Sequence, residues 1–305
     1  MARKQESAKE PLWEIPWFEY RRNAVVGGIR LTNNVGFIDD DVELPKPKGV
    51  FRIACVGGST TMEGGGKDLT YPNILERELR KFFNRNDIEV INCGVGGIDS
   101  LGERRRTLDY IRLQPDLIIH YNAVNDICHG LFPLWEKDAP AWQRILRHSA
   151  FVNLYLNWLL LPPSTTISEH FDRATFHNLR DMQQCIQAKH IDTAICSFAH
   201  PDYASLSRKE RRFFESILRK HWQGKYVSFQ NYCRLVEVYN AKVRALCQEK
   251  GIMYLPVAES IHGGTNFFGD ICHMQQAGIE RKAEVIFEAL KDYVGARLGS
   301  KPAQP

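Results

Sequence analysis

A serine behind two glycines, and a carboxylate three residues ahead of an imidazole, are the groups in this chain best suited to covalent chemistry. Serine acts as a nucleophile when a base takes its proton, a third group orients that base, and donors receive the oxyanion. Ser59 follows the run Phe51-Arg-Ile-Ala-Cys-Val-Gly57-Gly58, a short apolar strand that ends in a sharp turn. Its hydroxyl is therefore expected at the carboxyl end of a strand, the edge where open α/β sheets hold their ligands. Asp270 and His273 precede the last helical pattern, and their spacing puts both side chains on one side of a turn or first helical turn. The carboxylate can then hold Nδ1–H while Nε2 faces the serine. Serine, aspartate, histidine is one chain order that a hydrolytic triad takes. Alone, Asp-x-x-His is common and most often means a helix N-cap and a surface histidine.

Two further segments supply oxyanion donors. Asn92-Cys-Gly94-Val-Gly96-Gly97 follows a second apolar run, and its glycines let backbone N–H groups approach a ligand. Tyr121-Asn122-Ala-Val-Asn125-Asp126 follows a third and offers a side-chain amide. Singly, the first reads as a tight turn and the second as a helix cap.

The elements that must position these groups alternate along the chain. Strands are expected at Phe51–Val56, Glu89–Asn92, Leu117–Tyr121, Thr193–Phe198 and Met253–Val257. Helices are expected at Tyr71–Asn84, Leu101–Arg112, Asn178–Lys189, Leu235–Lys250 and Gln276–Leu298, from apolar residues at three-to-four spacing. Such alternation implies a parallel sheet with helices on both faces, and hence nearly continuous apolar strands. Residues 1–50 form an extended arm pinned by Trp13, Trp17 and Phe18. Residues 51–298 form the α/β domain, with insertions at about 127–177 and 201–232, and 299–305 a flexible tail. The first insertion is rich in aromatic residues and reads either as a pocket wall or as extra helices with their own core.

Composition narrows the class. The 305 residues are 44% hydrophobic and 25% charged, ordinary for a water-soluble globular chain. A formal net charge of +4, with Lys and Arg scattered, gives no footprint for nucleic acid. Arg104-Arg105-Arg106, the densest basic run, reads as a solvated helix face. Eight cysteines contain no C-x-x-C pair, and Cys55, Cys93 and Cys196 lie in apolar runs as small hydrophobes. The N-terminus is charged and has no apolar signal core after it. The longest apolar stretch, Phe151 to Pro163, is too short to span a bilayer. A cytoplasmic protein without a transmembrane segment is expected.

Taken together, Gly57-Gly58-Ser59, Gly97, Val124-Asn125-Asp126 and Asp270-x-x-His273 resemble the ordered blocks of the SGNH (GDSL-like) hydrolases, over residues 50–295. The resemblance implies a flavodoxin-like α/β/α sandwich on a five-stranded parallel sheet, and cleavage of carboxylic esters such as acetylated sugars and lipids. It implies Ser59 as nucleophile, His273 as base and Asp270 as its orienter. The oxyanion hole would be the Ser59 and Gly97 N–H groups and the Asn125 amide. Two positions depart from the family pattern: Gly58 stands where an aspartate is usual, and Ala123 where a glycine is usual.

Rival motifs fail on spacing. Gly94-x-Gly96 needs a third glycine at Asp99 for a dinucleotide loop, and Gly66-Lys67 needs a glycine at Thr61 for a phosphate loop. His120, His129, His200 and His262 share no ligand spacing. Glu63, Asp68 and Asn266 lie near the expected pocket and receive no role. The expectation is a serine esterase working through an acyl-enzyme on a small-molecule, glycan or lipid ester, with no metal and no organic cofactor. An acyltransferase using the same site, or a non-catalytic binding module of the same fold, remains open, as does the oligomeric state.

Overall fold

A computed structural model of the chain describes residues 13–15, 19–221 and 227–299. Five apolar runs form one parallel sheet: β1 (Phe51–Gly57), β2 (Ile88–Gly94), β3 (Leu117–Tyr121), β4 (Asp192–Cys196) and β5 (Met253–Leu255). Their order is β2-β1-β3-β4-β5, the flavodoxin-like arrangement whose chain direction switches between β1 and β3. The register sets Gly57 opposite both Gly94 and Tyr121. The loops after β1, β2 and β3 therefore leave the sheet at one level.

The helices that frame the sheet are α1 (Ser59–Met62), α2 (Tyr71–Phe83), α3 (Ser100–Arg105), α4 (Thr107–Arg112), α5 (His177–Gln187), α6 (Arg208–His221), α7 (Phe229–Lys250) and α8 (Gln276–Leu298). On one face, α2 packs against α8 and their Phe82 and Phe287 rings meet edge-on at 5.4 Å. On the other, α3 and α4 pack on α5, and Tyr239 of α7 donates to the Asn122 carbonyl oxygen at 2.5 Å. The result is the expected three-layer sandwich. Ile53, Val56, Leu117, Ile118, Ile119 and Ile195 are fully buried between its layers.

The outer edge of β2 is closed by side chains. The Asn92 N–H donates to Asp39 Oδ2 and the Val90 N–H to Glu76 Oε2, both at 2.7 Å, so edge groups that could pair with another chain are satisfied. Asp39 belongs to the arm, whose Phe37 is buried and stacked on Tyr110 at 6.4 Å. Trp17 and Phe18 lie outside the described residues, as does the side chain of Trp13.

Several elements differ from expectation. The helix expected at 101–112 breaks at Arg106, which is only 7% exposed and holds its guanidinium 5.2 Å from the Phe37 ring centre. The arginine run is thus solvated only at Arg104 and Arg105. α7 starts six residues early, because the Ser228 hydroxyl accepts from the Asn231 N–H and caps it. β5 stops at Leu255, before Pro256, which has no N–H for the ladder.

The first insertion consists of short helices, among them Phe132–Asp138, Ala141–Leu146, Ala150–Tyr155 and Ser164–Phe171. They bury Trp135, Ile167 and Phe171, while Trp142, Phe151 and Tyr155 are exposed. Among the described residues, no helix is long and apolar enough to cross a membrane. All eight cysteines are unpaired thiols.

Candidate active site

Ser59 opens α1 directly after β1, so its side chain sits at the carboxyl edge of the sheet. Gly57 leaves no room for a side chain: a Cβ there would lie 2.2 Å from both the Tyr121 carbonyl oxygen and Thr61 Oγ1. At Gly58 the backbone is ordinary, with φ −84°, but a Cβ would lie 2.7 Å from Asn125 Nδ2. The second glycine of the turn is therefore matched to the asparagine in front of it.

Asp270 and His273 lie in a turn ahead of α8 rather than in its first helical turn. Asp270 Oδ1 accepts the N–H groups of Cys272 (2.8 Å) and His273 (2.7 Å), which ties the turn to its own carboxylate. Its other oxygen, Oδ2, lies 2.7 Å from His273 Nδ1. His273 Nε2 lies 2.7 Å from Ser59 Oγ, across 214 positions of sequence. The structure thus brings Ser59, His273 and Asp270 into one hydrogen-bonded line at the sheet's topological switch. Burial alone would raise the Asp270 carboxyl, but the hydrogen bond and charge of His273, with the two N–H groups, outweigh it and hold it at about 2. The Asp270 hydrogen bond raises the His273 imidazole above its ordinary value, against the opposing pull of burial.

The blocks resembling the SGNH hydrolases meet at this edge, on the sheet order that the resemblance implies. No protein-family model and no curated protein matches the chain. Solved structures similar to it include a lipase/acylhydrolase from Enterococcus faecalis, at 13% identity and TM-score 0.49, covering 84% of this chain and 100% of that one. A GDSL-like lipase from Bacteroides thetaiotaomicron is similar at 15% and 0.45, covering 83% and 93%. An acetyl xylan esterase is similar at 14% and 0.48, covering 79% and 100%. At these identities and scores nothing about activity passes from those proteins to this one.

Gly97 has φ +80°, a left-handed conformation natural to glycine, and this turns the loop after β2. Neither its N–H nor that of Ser59 meets an acceptor among the described residues. Asn125 Nδ2 donates one hydrogen to the Ile98 carbonyl oxygen at 2.8 Å, leaving a second for a ligand. Asn122 Nδ2 reaches the same carbonyl at 2.8 Å and also Glu103 Oε1 at 2.9 Å. Glu103 in turn lies 2.7 Å from His120 Nε2, so His120 braces the loop from within the core. Burial and the nearby Glu103 charge push the Asp126 carboxyl up to about 7.

Two supporting residues escaped sequence reasoning. Tyr20, from the arm, has its hydroxyl 3.1 Å from the Gly96 N–H it accepts and 3.3 Å from Met62 Sδ. Lys282 of α8 is fully buried, and its Nζ donates to the Thr60 carbonyl oxygen and to Glu63 Oε1, each at 2.7 Å. The same Nζ lies 4.7 Å and 4.4 Å from the ring centres of Tyr71 and Tyr121. One signal for it was present: Lys282 sits between Ile279 and Ile286, at helical spacing, on the buried stripe of α8. Glu63, given no role from sequence, accepts the Met274 N–H at 2.8 Å through Oε2. Asp68 is exposed, and Asn266 Oδ1 accepts the Gly264 N–H at 2.9 Å within its own loop.

One group of His, Cys and acidic side chains among the described residues could hold a metal ion: Asp270, Cys272 and His273, with ligand atoms within 4.8 Å of one another. Both imidazole nitrogens of that group already face Asp270 and Ser59.

Proposed function

We propose that the chain is a serine ester hydrolase of the SGNH type. The observation that carries this reading is the unbroken line Asp270 Oδ2, His273 Nδ1, His273 Nε2, Ser59 Oγ, with 2.7 Å at each hydrogen bond. Asp270 holds the proton on Nδ1 and leaves Nε2 free to act as base. Ser59 Oγ attacks the ester carbonyl carbon and gives its proton to Nε2. The carbonyl oxygen gains negative charge in front of the Ser59 N–H, the Gly97 N–H and the second Asn125 amide hydrogen, donors preorganised where that charge develops. Cleavage of the carbon–oxygen bond releases the alkoxide, which takes the proton from His273. Water, deprotonated by the same nitrogen, then attacks the acyl-Ser59 carbonyl; the acyl carbon–Oγ bond breaks, Nε2 returns its proton to Ser59 Oγ, and the acid leaves.

We take a short acyl group on a carbohydrate hydroxyl as the substrate class to test first, because the resemblance to the SGNH hydrolases implies it. Turnover of p-nitrophenyl acetate against longer acyl esters, with Ser59→Ala as control, tests the reading. The alanine variant is expected to lose at least about a thousandfold in kcat with its fold intact. Equal turnover by Ser59→Ala sinks the nucleophile, and turnover that requires an added acceptor alcohol makes the chain an acyltransferase instead.

A further inference from the structure

Cys272 lies between the two residues that the proposed mechanism pairs, and its thiol has no part in that mechanism. The residue is buried, and its sulfur sits 3.5 Å from His273 Nδ1, the nitrogen that also faces Asp270 Oδ2 at 2.7 Å. A thiol, an imidazole and a carboxylate thus converge on one side of the turn, and these are the three donor types that bind zinc. Zinc–ligand lengths of about 2.1 Å to nitrogen and 2.3 Å to sulfur, at the tetrahedral angle, set those two atoms about 3.6 Å apart. Sulfur and Nδ1 already stand at that spacing. A bound carboxylate oxygen sits about 3.4 Å from the nitrogen, so Oδ2 has to withdraw by about 0.7 Å. Oδ1 can stay on the N–H groups of Cys272 and His273 while Oδ2 swings, which orients the carboxylate from behind.

An ion has a way in. The His273 and Asp270 side chains are 41% and 21% exposed, so the open side of the site meets solvent, and water can fill the fourth place. One divalent charge, one thiolate and one carboxylate sum to zero, so the filled site buries no net charge. Softness selects the ion: Zn²⁺ and its softer congener Cd²⁺ deprotonate a coordinating thiol, whereas Mg²⁺ takes oxygen ligands in an octahedral shell. Binding there reverses the imidazole. Nδ1 gives its lone pair to the metal, and the neutral ring carries its one proton on Nε2, which faces Ser59 Oγ at 2.7 Å. The thiol proton leaves to solvent, and nothing is oxidised or reduced. A ring in that tautomer has no lone pair at Nε2 to receive the Ser59 proton.

We propose that Asp270, Cys272 and His273 form an inhibitory site for a thiophilic divalent cation, zinc above all, whose occupation switches the hydrolase off. The switching rests on the ester hydrolase reading, whereas the binding of the ion rests on the three side chains alone.

The test adds Cd²⁺, Zn²⁺ and Mg²⁺ in turn to the full chain, in buffer free of added thiols. Cd²⁺ is expected to raise an ultraviolet sulfur-to-cadmium charge-transfer band that saturates at one ion per chain. Zn²⁺ is expected to compete that band away and to lower turnover of p-nitrophenyl acetate at least about tenfold, with recovery on adding EDTA. Mg²⁺ is expected to do neither. Turnover with and without Zn²⁺ is compared within each protein, so a changed basal rate cancels. Cys272→Ala is expected to lose the band and to need about a hundredfold more Zn²⁺ for the same inhibition. The near-isosteric Cys272→Ser carries the same expectation should the alanine variant not fold. A missing band, a band that survives in the variants, an equal response to Mg²⁺, or bound Zn²⁺ that leaves turnover intact would each overturn the proposal. The band needs no substrate, so its absence is distinct from failure of the metal-free protein to hydrolyse p-nitrophenyl acetate, which sinks the esterase reading itself.

Discussion

Lys282 and Glu63 form a buried ion pair beneath the turn that carries Ser59, 2.7 Å apart, with side-chain exposures of 0% and 8%. Glu63 sits just after α1 and Lys282 within α8, so the pair joins the two segments that carry Ser59 and His273. Through the Thr60 carbonyl and the Met274 N–H it also holds the backbone beside Ser59 and His273. A pair so placed has few ways to relax when one partner is lost.

Lys282→Met is expected to destabilise the protein by about 3–5 kcal/mol, since it strands a buried carboxylate. Joint replacement of both partners, Glu63→Leu with Lys282→Met, is expected to cost less than the sum of the single changes. Urea unfolding of the four proteins measures this. Strict additivity would show that the pair does not couple.

The pH profile should carry the signature of Asp270. The proposed mechanism requires neutral His273, whose value is raised, so the acid limb of kcat/KM is expected above the ordinary imidazole value of about 6.5. Asp270→Asn should move that limb downward and lower kcat by about 10⁴. For stability the signs are opposite. Asp270, depressed to about 2, stabilises the fold above its unfolded value near 4 and loses that contribution as pH falls through 2. The raised His273 stabilises below its unfolded value and loses that contribution as pH rises through its folded one. A limb that stays in place in Asp270→Asn would contradict the pairing.

Gly58→Ala tests the room in front of Asn125. The added methyl would lie 2.7 Å from Asn125 Nδ2 and 3.2 Å from Asn122 Oδ1, and Asn125 is held in place by the Ile98 carbonyl. A drop in kcat of about a hundredfold, comparable to losing one oxyanion donor, is expected with little change in KM. Wild-type kcat would remove Asn125 from the oxyanion hole.

Tyr20→Phe tests whether the arm steadies the loop that bears Gly97. It removes the acceptor of the Gly96 N–H and leaves that group without its partner. A kcat loss of roughly tenfold, with stability lowered by about 1 kcal/mol, is expected. Loss of stability with kcat intact would make Tyr20 a purely structural contact.

The five strands, four of their covering helices and the residues in line with Ser59 could be read from the chain because each depends on near neighbours. Apolar period sets a strand or helix, Gly57-Gly58 a turn, and Asp270-x-x-His273 a shared side. The start of the long helix α7 is not legible in the sequence because its first turns, with Phe229, Tyr232 and Cys233 buried, mix with polar residues that hide the period. The burial of Arg106 is not legible either, because its neighbours Arg104 and Arg105 are solvated while the Phe37 ring draws it inward.

Tertiary structure alone decided what meets across the chain. Tyr20 lies 76 positions from Gly96 and Lys282 219 from Glu63, and no local pattern links them. A lysine on an apolar stripe announces a buried charge but not its partner. Which carboxylate compensates it depends on how α8 packs against the end of β1, a property of the folded core and of no single segment.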